Sequence, residues 1–161
     1  MKYADIPKIL EIYKPYVTSG AITPEHNLPD LPDFSKKIKK IAAYYPVLVC
    51  ELSDTITGYA SAHRFRLAQG HQWSAESTIY LAPGYESKGI GKALYKALFN
   101  LLRQQNLINV FAGIVLPNEQ SEAFHKSLGF RQMGMFEKAI YKLGNWHDVA
   151  WWQLTLREHD K

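Results

Sequence analysis

One junction in the sequence, where an apolar run passes through a glycine-containing turn into an amphipathic helix, constrains the fold most strongly. The run ends at Leu81, the turn contains Gly89 and Gly91, and leucines at helical spacing follow from Leu94. Such a junction directs unpaired backbone N–H groups to one spot, and the helix dipole adds about half a positive charge there. These donors would belong to Ser87, Lys88, Gly89, Ile90, Gly91 and Lys92. The junction therefore predicts a phosphate site.

Length and composition indicate a globular protein rather than a membrane or nucleic-acid-binding one. With 161 residues, the chain has the usual size of one domain, so we expect a single domain over 1–161. No apolar run approaches the ~20 residues that cross a bilayer, and no export signal follows Met1. We expect a cytoplasmic protein with no membrane partner. The net charge of +4 is modest, so we expect no nucleic acid either.

The cysteine and histidine pattern gives no sign of a metal. Cys50 is the single cysteine, and it lies in the apolar run 47–50, which favours a buried strand residue over a catalytic thiol. No Cys/His cluster has the spacing of a metal site, so we expect no metal cofactor.

Hydrophobic periodicity predicts an α/β (α+β) protein with a mixed sheet flanked by helices. Asp5 before Pro7 predicts a helix N-terminus, Gly58 a β-bulge, and Gly129 a helix C-terminus. The predicted helices cover 4–17, 34–45, 89–105 and 118–128, and the strands cover 47–52, 56–65, 73–81 and 109–115, with two further strands in 132–157.

Three motifs in this order resemble the GNAT superfamily of acetyl-CoA-dependent N-acyltransferases. They are Glu86-x-x-Gly89-x-Gly91 after a strand, Asn118 three residues before Ser121, and the run 125–130. Within that superfamily, the runs 73–80, 116–118 and 141–149 resemble the phosphinothricin N-acetyltransferase group. The resemblance covers 3–156 and implies the GNAT fold, with a splayed strand pair at the acetyl-CoA site. Because the chain begins almost at the first helix, we expect the first family strand to be truncated.

The turn departs from the family pattern at two positions. Glu86 stands where the family has Gln or Arg, and Ser87 where Gly is common. A carboxylate beside a pyrophosphate would repel it by ~1 kcal/mol if solvated. We expect Glu86 to point outward, with Lys88 and Lys92 compensating its charge.

The resemblance assigns the cofactor to the turn and to the segments on either side of it. It implies that the pantetheine arm pairs with the backbone of Ile79, Tyr80 and Leu81. The pyrophosphate would lie on the main chain from Ser87 to Lys92, with Asn118 and Ser121 on the cofactor arm. Asn118 also fits a plain helix N-cap, and both roles can hold together.

Two residues match the family's catalytic positions. Glu76 corresponds to the glutamate taken as general base, although a solvent-facing strand glutamate is the alternative. His125 stands where many members have a tyrosine that protonates the leaving thiolate, although a lone helical histidine is more often structural. Arg64 or Arg66 would bind an acidic group of the acceptor, and Glu76, Ser77 and Thr78 would also contact the acceptor. The alternative is that both arginines face solvent.

These assignments predict an N-acetyltransferase that moves acetyl from acetyl-CoA to the amine of a small amino-acid-like acceptor. Phosphinothricin, methionine sulfone and methionine sulfoximine are the types expected, with direct attack assisted by Glu76. The alternatives are a non-catalytic acyl-CoA sensor and an acetyltransferase for a protein N-terminus, a polyamine or an aminoglycoside. The aromatic run 149–154 predicts either a homodimer contact or a core strand.

Overall fold

A computed structural model, which describes residues 1–158, has a six-stranded mixed sheet with helices on both faces. The helices are α1 (Ile6–Thr18), α2 (Leu31–Ala42), α3 (Ile90–Gln104) and α4 (Glu119–Ser127), and a short 3-10 turn, Tyr3–Asp5, precedes α1. The strands are β1 (Val47–Leu52), β2 (Thr55–Arg64), β3 (Ser74–Leu81), β4 (Asn109–Val115), β5 (Arg131–Lys142) and β6 (Asn145–Thr155). Their order across the sheet is β1-β2-β3-β4-β6-β5.

The element order predicted from the sequence is confirmed, and most boundaries agree within two residues. The largest difference is at α2, which begins at Leu31 instead of 34. There the Asp30 side chain accepts a hydrogen bond from the Asp33 N–H at 2.8 Å, and a proline occupies the first turn. Within residues 1–158, the first strand follows both α1 and α2.

Two smaller expectations need correction. Asp5 precedes α1, but its carboxylate accepts from the Lys2 N–H at 2.6 Å instead of capping that helix. The bulge expected at Gly58 lies one residue earlier, because Cys50 pairs with Gly58 and Glu51 with Ile56, which leaves Thr57 as the extra residue.

Each face of the sheet has its own hydrophobic core. On one face α1 and α2 cover the start of the sheet, with Ile6, Ile9, Ile12, Tyr13, Phe34, Ile38 and Tyr59 buried. On the other face α3 packs on the central strands, with Tyr95, Leu98, Leu102, Val110, Ala112 and Trp152 buried. Cys50 is a strand residue as predicted, although it is only partly buried. None of the helices in residues 1–158 is long and apolar enough to span a bilayer.

The aromatic run 149–154 forms part of β6, an inner strand between β4 and β5. Val149, Ala150 and Trp152 are buried. Of the two alternatives that the sequence allowed, a core strand and a homodimer contact, the run is therefore a core strand. About half of the exposed large apolar side chains lie on the β5–β6 hairpin, at Met133, Met135, Phe136, Tyr141, Leu143 and Trp146.

The sheet opens in its middle. β3 and β4 run parallel but pair over only three residues, Ser74–Glu76 against Asn109–Phe111, whereas β3 pairs with β2 as far as Leu81. Beyond Glu76, β3 and β4 therefore diverge, as the resemblance implied. This V-shaped opening is the largest interruption of the sheet, and the candidate site lies along it.

Gly58 allows β2 to lie close to the end of β3. A Cβ at this position would lie 2.5 Å from Leu81 Cδ2 and 3.1 Å from the Tyr80 carbonyl oxygen. We expect Gly58→Ala to lower the free energy of unfolding by about 1–3 kcal/mol, because the backbone of β3 must shift. Gly134→Ala is the matched control, since nothing lies within 4 Å of its Cβ. Equal stability of the two variants in urea denaturation would contradict this close approach.

Candidate active site

Three cavities follow the opening between β3 and β4. The large cavity, of about 630 Å³, lies over β2 and β3 on the face that carries α1 and α2. The turn cavity, of about 420 Å³, lies against the glycine turn and α4. A small cavity of about 70 Å³ lies at the opening itself. Ile22 and Tyr80 line all three, so the cavities meet at these two side chains.

Alternation along β3 divides its predicted site residues between two faces. Glu76 and Thr78 line the large cavity. The Glu76 side chain is 26% exposed, and its Oε2 lies 3.6 Å from His63 Nε2. Thr78 Oγ1 and Ser61 Oγ lie 3.0 Å apart. Ser77 was predicted on the acceptor side, but it faces α3, where its Oγ donates to Tyr95 Oη at 3.2 Å.

The two arginines predicted to bind the acceptor lie away from all three cavities. The Arg64 guanidinium donates to the backbone carbonyls of Arg66 and Leu67, so it holds the loop after β2. Arg66 lies 5.0 Å from the Phe65 ring centroid and is exposed. The large cavity is instead lined by two lysines of α2, Lys37 and Lys40.

The large cavity also contains a charged cluster that sequence reasoning missed. Glu25 lies 3.2 Å from Lys37 and accepts a hydrogen bond from the Tyr13 hydroxyl. Burial alone would raise the pKa of Glu25, but the Tyr13 hydrogen bond and the Lys37 charge outweigh it and lower that pKa. Glu25 therefore stays ionised. No sequence motif marks this cluster, because its members come from α1, α2 and the loop between them.

The glycine turn leads into the N-terminus of α3, the region where the sequence predicted a set of backbone donors. Gly89 is the N-cap of α3 with φ of 80°, and Ser87 has φ of 60°. Ala93 donates the first intrahelical bond, to the Gly89 carbonyl, so the N–H groups of Ile90, Gly91 and Lys92 have no partner within the helix. Ser87, Gly89, Gly91 and Lys92 line the turn cavity, whereas Lys88 lies 4.9 Å from the Tyr85 ring centroid and Ile90 is buried.

The two glycines of the turn have different physical roles. A Cβ on Gly89 would meet nothing within 4 Å. Glycine at this position therefore allows the left-handed backbone conformation and leaves the main chain open to a ligand. A Cβ on Gly91 would lie 3.2 Å from the Phe124 ring, so this glycine allows α3 to pack on α4.

Glu86 does not point outward, and this expectation was wrong. Its carboxylate accepts a hydrogen bond from the Gly84 N–H at 2.8 Å and lines the turn cavity. The residue thus folds back over its own turn, and its carboxylate lies at the turn cavity.

The backbone groups of β3 that face the opening belong to alternate residues. The Trp73 carbonyl accepts from β4, whereas the Ala82 N–H donates to Thr57 of β2, so Ile79 and Leu81 face the opening and Tyr80 faces β2. The Tyr16 hydroxyl donates to the Leu81 carbonyl at 2.7 Å and accepts from the Leu81 N–H at 3.3 Å. Tyr80 therefore offers its ring, not its backbone, to the site.

A buried chain of hydrogen bonds begins at α4 and ends at β3. His125 is 4% exposed, and its Nδ1 lies 2.8 Å from the Ser121 carbonyl oxygen, which can only accept, so Nδ1 carries the proton. Nε2 is then free to accept from Tyr95 Oη at 3.4 Å, and Tyr95 accepts from Ser77. Asn118 caps α4 through the Ser121 N–H at 3.1 Å, and both residues line the turn cavity.

Tyr95 is the main functional candidate that sequence reasoning missed. It is completely buried, yet it lines the small cavity beside His125. Burial, more than any other factor, raises the pKa of Tyr95, so the phenol stays protonated. The sequence did contain one indication of this role. Tyr95 lies one helical turn after Gly91, so both residues lie on the same side of α3.

Comparison with known proteins gives concordant results. The model of the acetyltransferase (GNAT) domain family matches residues 1–151. A phosphinothricin N-acetyltransferase of Streptomyces viridochromogenes is 31% identical over 157 residues, which cover 93% of this chain and 82% of that protein. An L-methionine sulfoximine/L-methionine sulfone acetyltransferase of Pseudomonas aeruginosa is 31% identical over 155 residues, which cover 95% and 90%.

Among solved structures, yncA of Salmonella typhimurium, solved with its cofactor acetyl-CoA, has a TM-score of 0.95 with this chain. The match covers 100% of this chain and 94% of that one, at 31% identity.

The hydrogen bonds of His125 predict its tautomer and its titration. We expect ring-nitrogen NMR to show a protonated Nδ1 and an unprotonated Nε2, assigned by comparison with His125→Gln. Burial lowers the pKa of His125, although the Ser121 carbonyl opposes this effect. Stability from the neutral ring is therefore complete above a pH of about 6.5 and falls as the pH drops below it. Protonation at Nε2 in the neutral ring would contradict the hydrogen-bond chain.

Proposed function

Because this chain belongs to the GNAT acetyltransferase family, we propose that it transfers acetyl from acetyl-CoA to the amine of a small amino-acid-like acceptor, with Glu76 as the general base. Acetyl-CoA would occupy the turn cavity and the acceptor the large cavity. One observation carries this proposal: the two cavities meet at the opening of the sheet, with Glu76 on one side and His125 with Tyr95 on the other.

The turn cavity has the donors that a pyrophosphate needs. The main chain of Ser87, Lys88, Gly89, Ile90, Gly91 and Lys92 would hold it, because the N-terminus of α3 supplies N–H groups and a positive dipole end. Ile79 and Leu81 would pair with the pantetheine arm as an added strand, with Asn118 and Ser121 beside it. At Leu81 the arm must compete with the Tyr16 hydroxyl.

The large cavity fits an acceptor with an apolar part and an acidic group. Tyr59, Phe136 and Trp151 of the sheet supply aromatic and apolar surface, and α2 supplies two cations, Lys40 and the Lys37 that is paired with Glu25. A carboxylate or phosphinate would therefore be held by these lysines rather than by Arg64 or Arg66. The amine would lie near Glu76 at the opening.

Proton transfer would use both sides of the opening. An attacking amine must be neutral, and Glu76, which lines the large cavity, would accept its proton. On the opposite side the leaving sulfur requires a proton. Tyr95 would donate one, because its hydroxyl lines the small cavity at the opening and is held between Ser77 and His125.

We also propose a homodimer, and its contact would lie on β5 rather than on the run 149–154. Three side chains of β5, Met133, Met135 and Phe136, are about half exposed or more, which is unusual for large apolar residues of one strand.

The function is tested by thiol release from acetyl-CoA with a panel of amines. We expect turnover with phosphinothricin, methionine sulfone or methionine sulfoximine, and little with a peptide N-terminus, spermidine or an aminoglycoside. Binding of acetyl-CoA without turnover of any amine would indicate a sensor instead. Turnover confined to the second group would overturn the acceptor assignment but leave the reaction intact.

Glu76→Gln tests the general base. The amide keeps the shape of the side chain but cannot accept the proton, so we expect kcat to fall by roughly 10²–10⁴-fold. Acetyl-CoA affinity, measured by calorimetry, should not change. Glu51→Gln, on the exposed end of β1, is the matched control. A normal rate in Glu76→Gln would remove Glu76 from the mechanism.

Glu86→Gln tests the negative charge at the turn. Glutamine can still accept from the Gly84 N–H, so the turn should stay intact while a repulsion of ~1 kcal/mol disappears. We expect the KM for acetyl-CoA to fall about fivefold at low ionic strength. The difference should shrink in concentrated salt, where the charge is screened. An unchanged or higher KM would show that this carboxylate does not oppose the cofactor.

A further inference from the structure

The hairpin of β5 and β6 carries two charged residues, Lys142 at the end of β5 and Asp148 near the start of β6, whose positions the proposed function does not explain. Neither residue lines any of the three cavities. Both nevertheless make a hydrogen bond to the backbone of another segment, and each of those segments forms part of the wall of the large cavity.

Lys142 anchors the loop between α1 and α2. It is only 2% exposed, and its Nζ donates to the Thr23 carbonyl at 3.0 Å and lies 3.4 Å from Thr23 Oγ1. Thr23 is itself 1% exposed, and it separates two residues of the cavity wall, Ile22 and Pro24. A buried ammonium is costly unless it is hydrogen-bonded, so this contact fixes the loop at one place.

Asp148 anchors a bulge in β5. Phe136 pairs with Val149 and Ile140 with His147, so the three residues 137–139 lie opposite Asp148 alone. The Asp148 carboxylate accepts from the Lys138 N–H at 2.8 Å, and Lys138 has φ of 48°, which lysine rarely adopts.

The bulge determines where a second part of the cavity wall lies. Phe136, Ala139 and Ile140 of this bulged segment all line the large cavity. Without the Asp148 carboxylate, the left-handed conformation at Lys138 would lose the hydrogen bond that compensates its strain.

We propose that Lys142 and Asp148 are positioning residues that set these two walls, so that their side chains control the shape of the acceptor cavity without touching the acceptor. His147 connects the two anchors, since its Nε2 lies 3.2 Å from the Lys142 carbonyl oxygen. The term acceptor rests on the proposed function, whereas the positioning of the walls does not.

The anchors are expected to have different kinetic effects. Ile22 lines both the large and the turn cavity, so Lys142→Met should raise the KM for acceptor and for acetyl-CoA. The bulge lines the large cavity but neither of the other two cavities. Asp148→Ala should therefore raise the KM for the acceptor by about tenfold and change the KM for acetyl-CoA by less than twofold. Asp148→Asn keeps an acceptor oxygen and should restore most of the affinity.

Hydrogen–deuterium exchange on the full chain tests the anchors without any acceptor. We expect faster exchange at 19–27 in Lys142→Met and at 136–141 in Asp148→Ala, each without change in the other segment. Lys96→Met and Asp54→Ala, at exposed positions away from both segments, are the controls. If Lys142→Met does not fold, Thr23→Val should give a smaller increase at 19–27.

Exchange at both segments that matches the controls would overturn the proposal, whatever amine is acetylated. Conversely, a failure to acetylate any amine would overturn the proposed function and leave the exchange result interpretable. An equal rise in both KM values for Asp148→Ala would also contradict the assignment, because it would indicate a general loss of structure.

Discussion

The divergence of β3 from β4 after Glu76 is the constraint on which the rest of the structure depends. Once the strands diverge, the backbone groups of Ile79 and Leu81 lose the partners that a continuous sheet would provide. Unpaired backbone groups are costly when buried, so the opening needs a substitute for the missing strand. At Leu81 the Tyr16 hydroxyl supplies both a donor and an acceptor. A ligand with amide groups would supply the same along the strand.

The opening also separates two chemical environments. On the α1 and α2 side, Glu76 is partly exposed and lies beside His63. On the α3 side, Tyr95 and His125 are buried, and burial keeps the phenol protonated and the imidazole neutral. The sheet thus keeps a partly exposed carboxyl apart from a buried phenol and imidazole.

Several of the contacts that shape the cavities join residues far apart in the chain. Tyr16 and Leu81 are 65 residues apart, and Lys142 and Thr23 are 119 apart. In both cases a side chain binds backbone groups, so the partner's residue type leaves no trace of the contact in the sequence. For this reason the run that contains Lys142 and Asp148, in the β5–β6 hairpin, could be recognised as a motif, but the contacts of these two residues could not be predicted from the sequence.

The sequence by itself determined the element order, the glycine turn and the helix cap at Asn118, because hydrophobic period and helix capping are local properties. Glu76 and His125 were singled out by the family resemblance. Only the tertiary structure decided which side chains converge. In the tertiary structure Ser77 faces α3, and Arg64 and Arg66 lie outside the three cavities. Lys37 lines the large cavity and Tyr95 the small one. The tertiary structure also separated the open Gly89 from the packed Gly91. These outcomes depend on where strands diverge and helices pack, which are relations between distant segments.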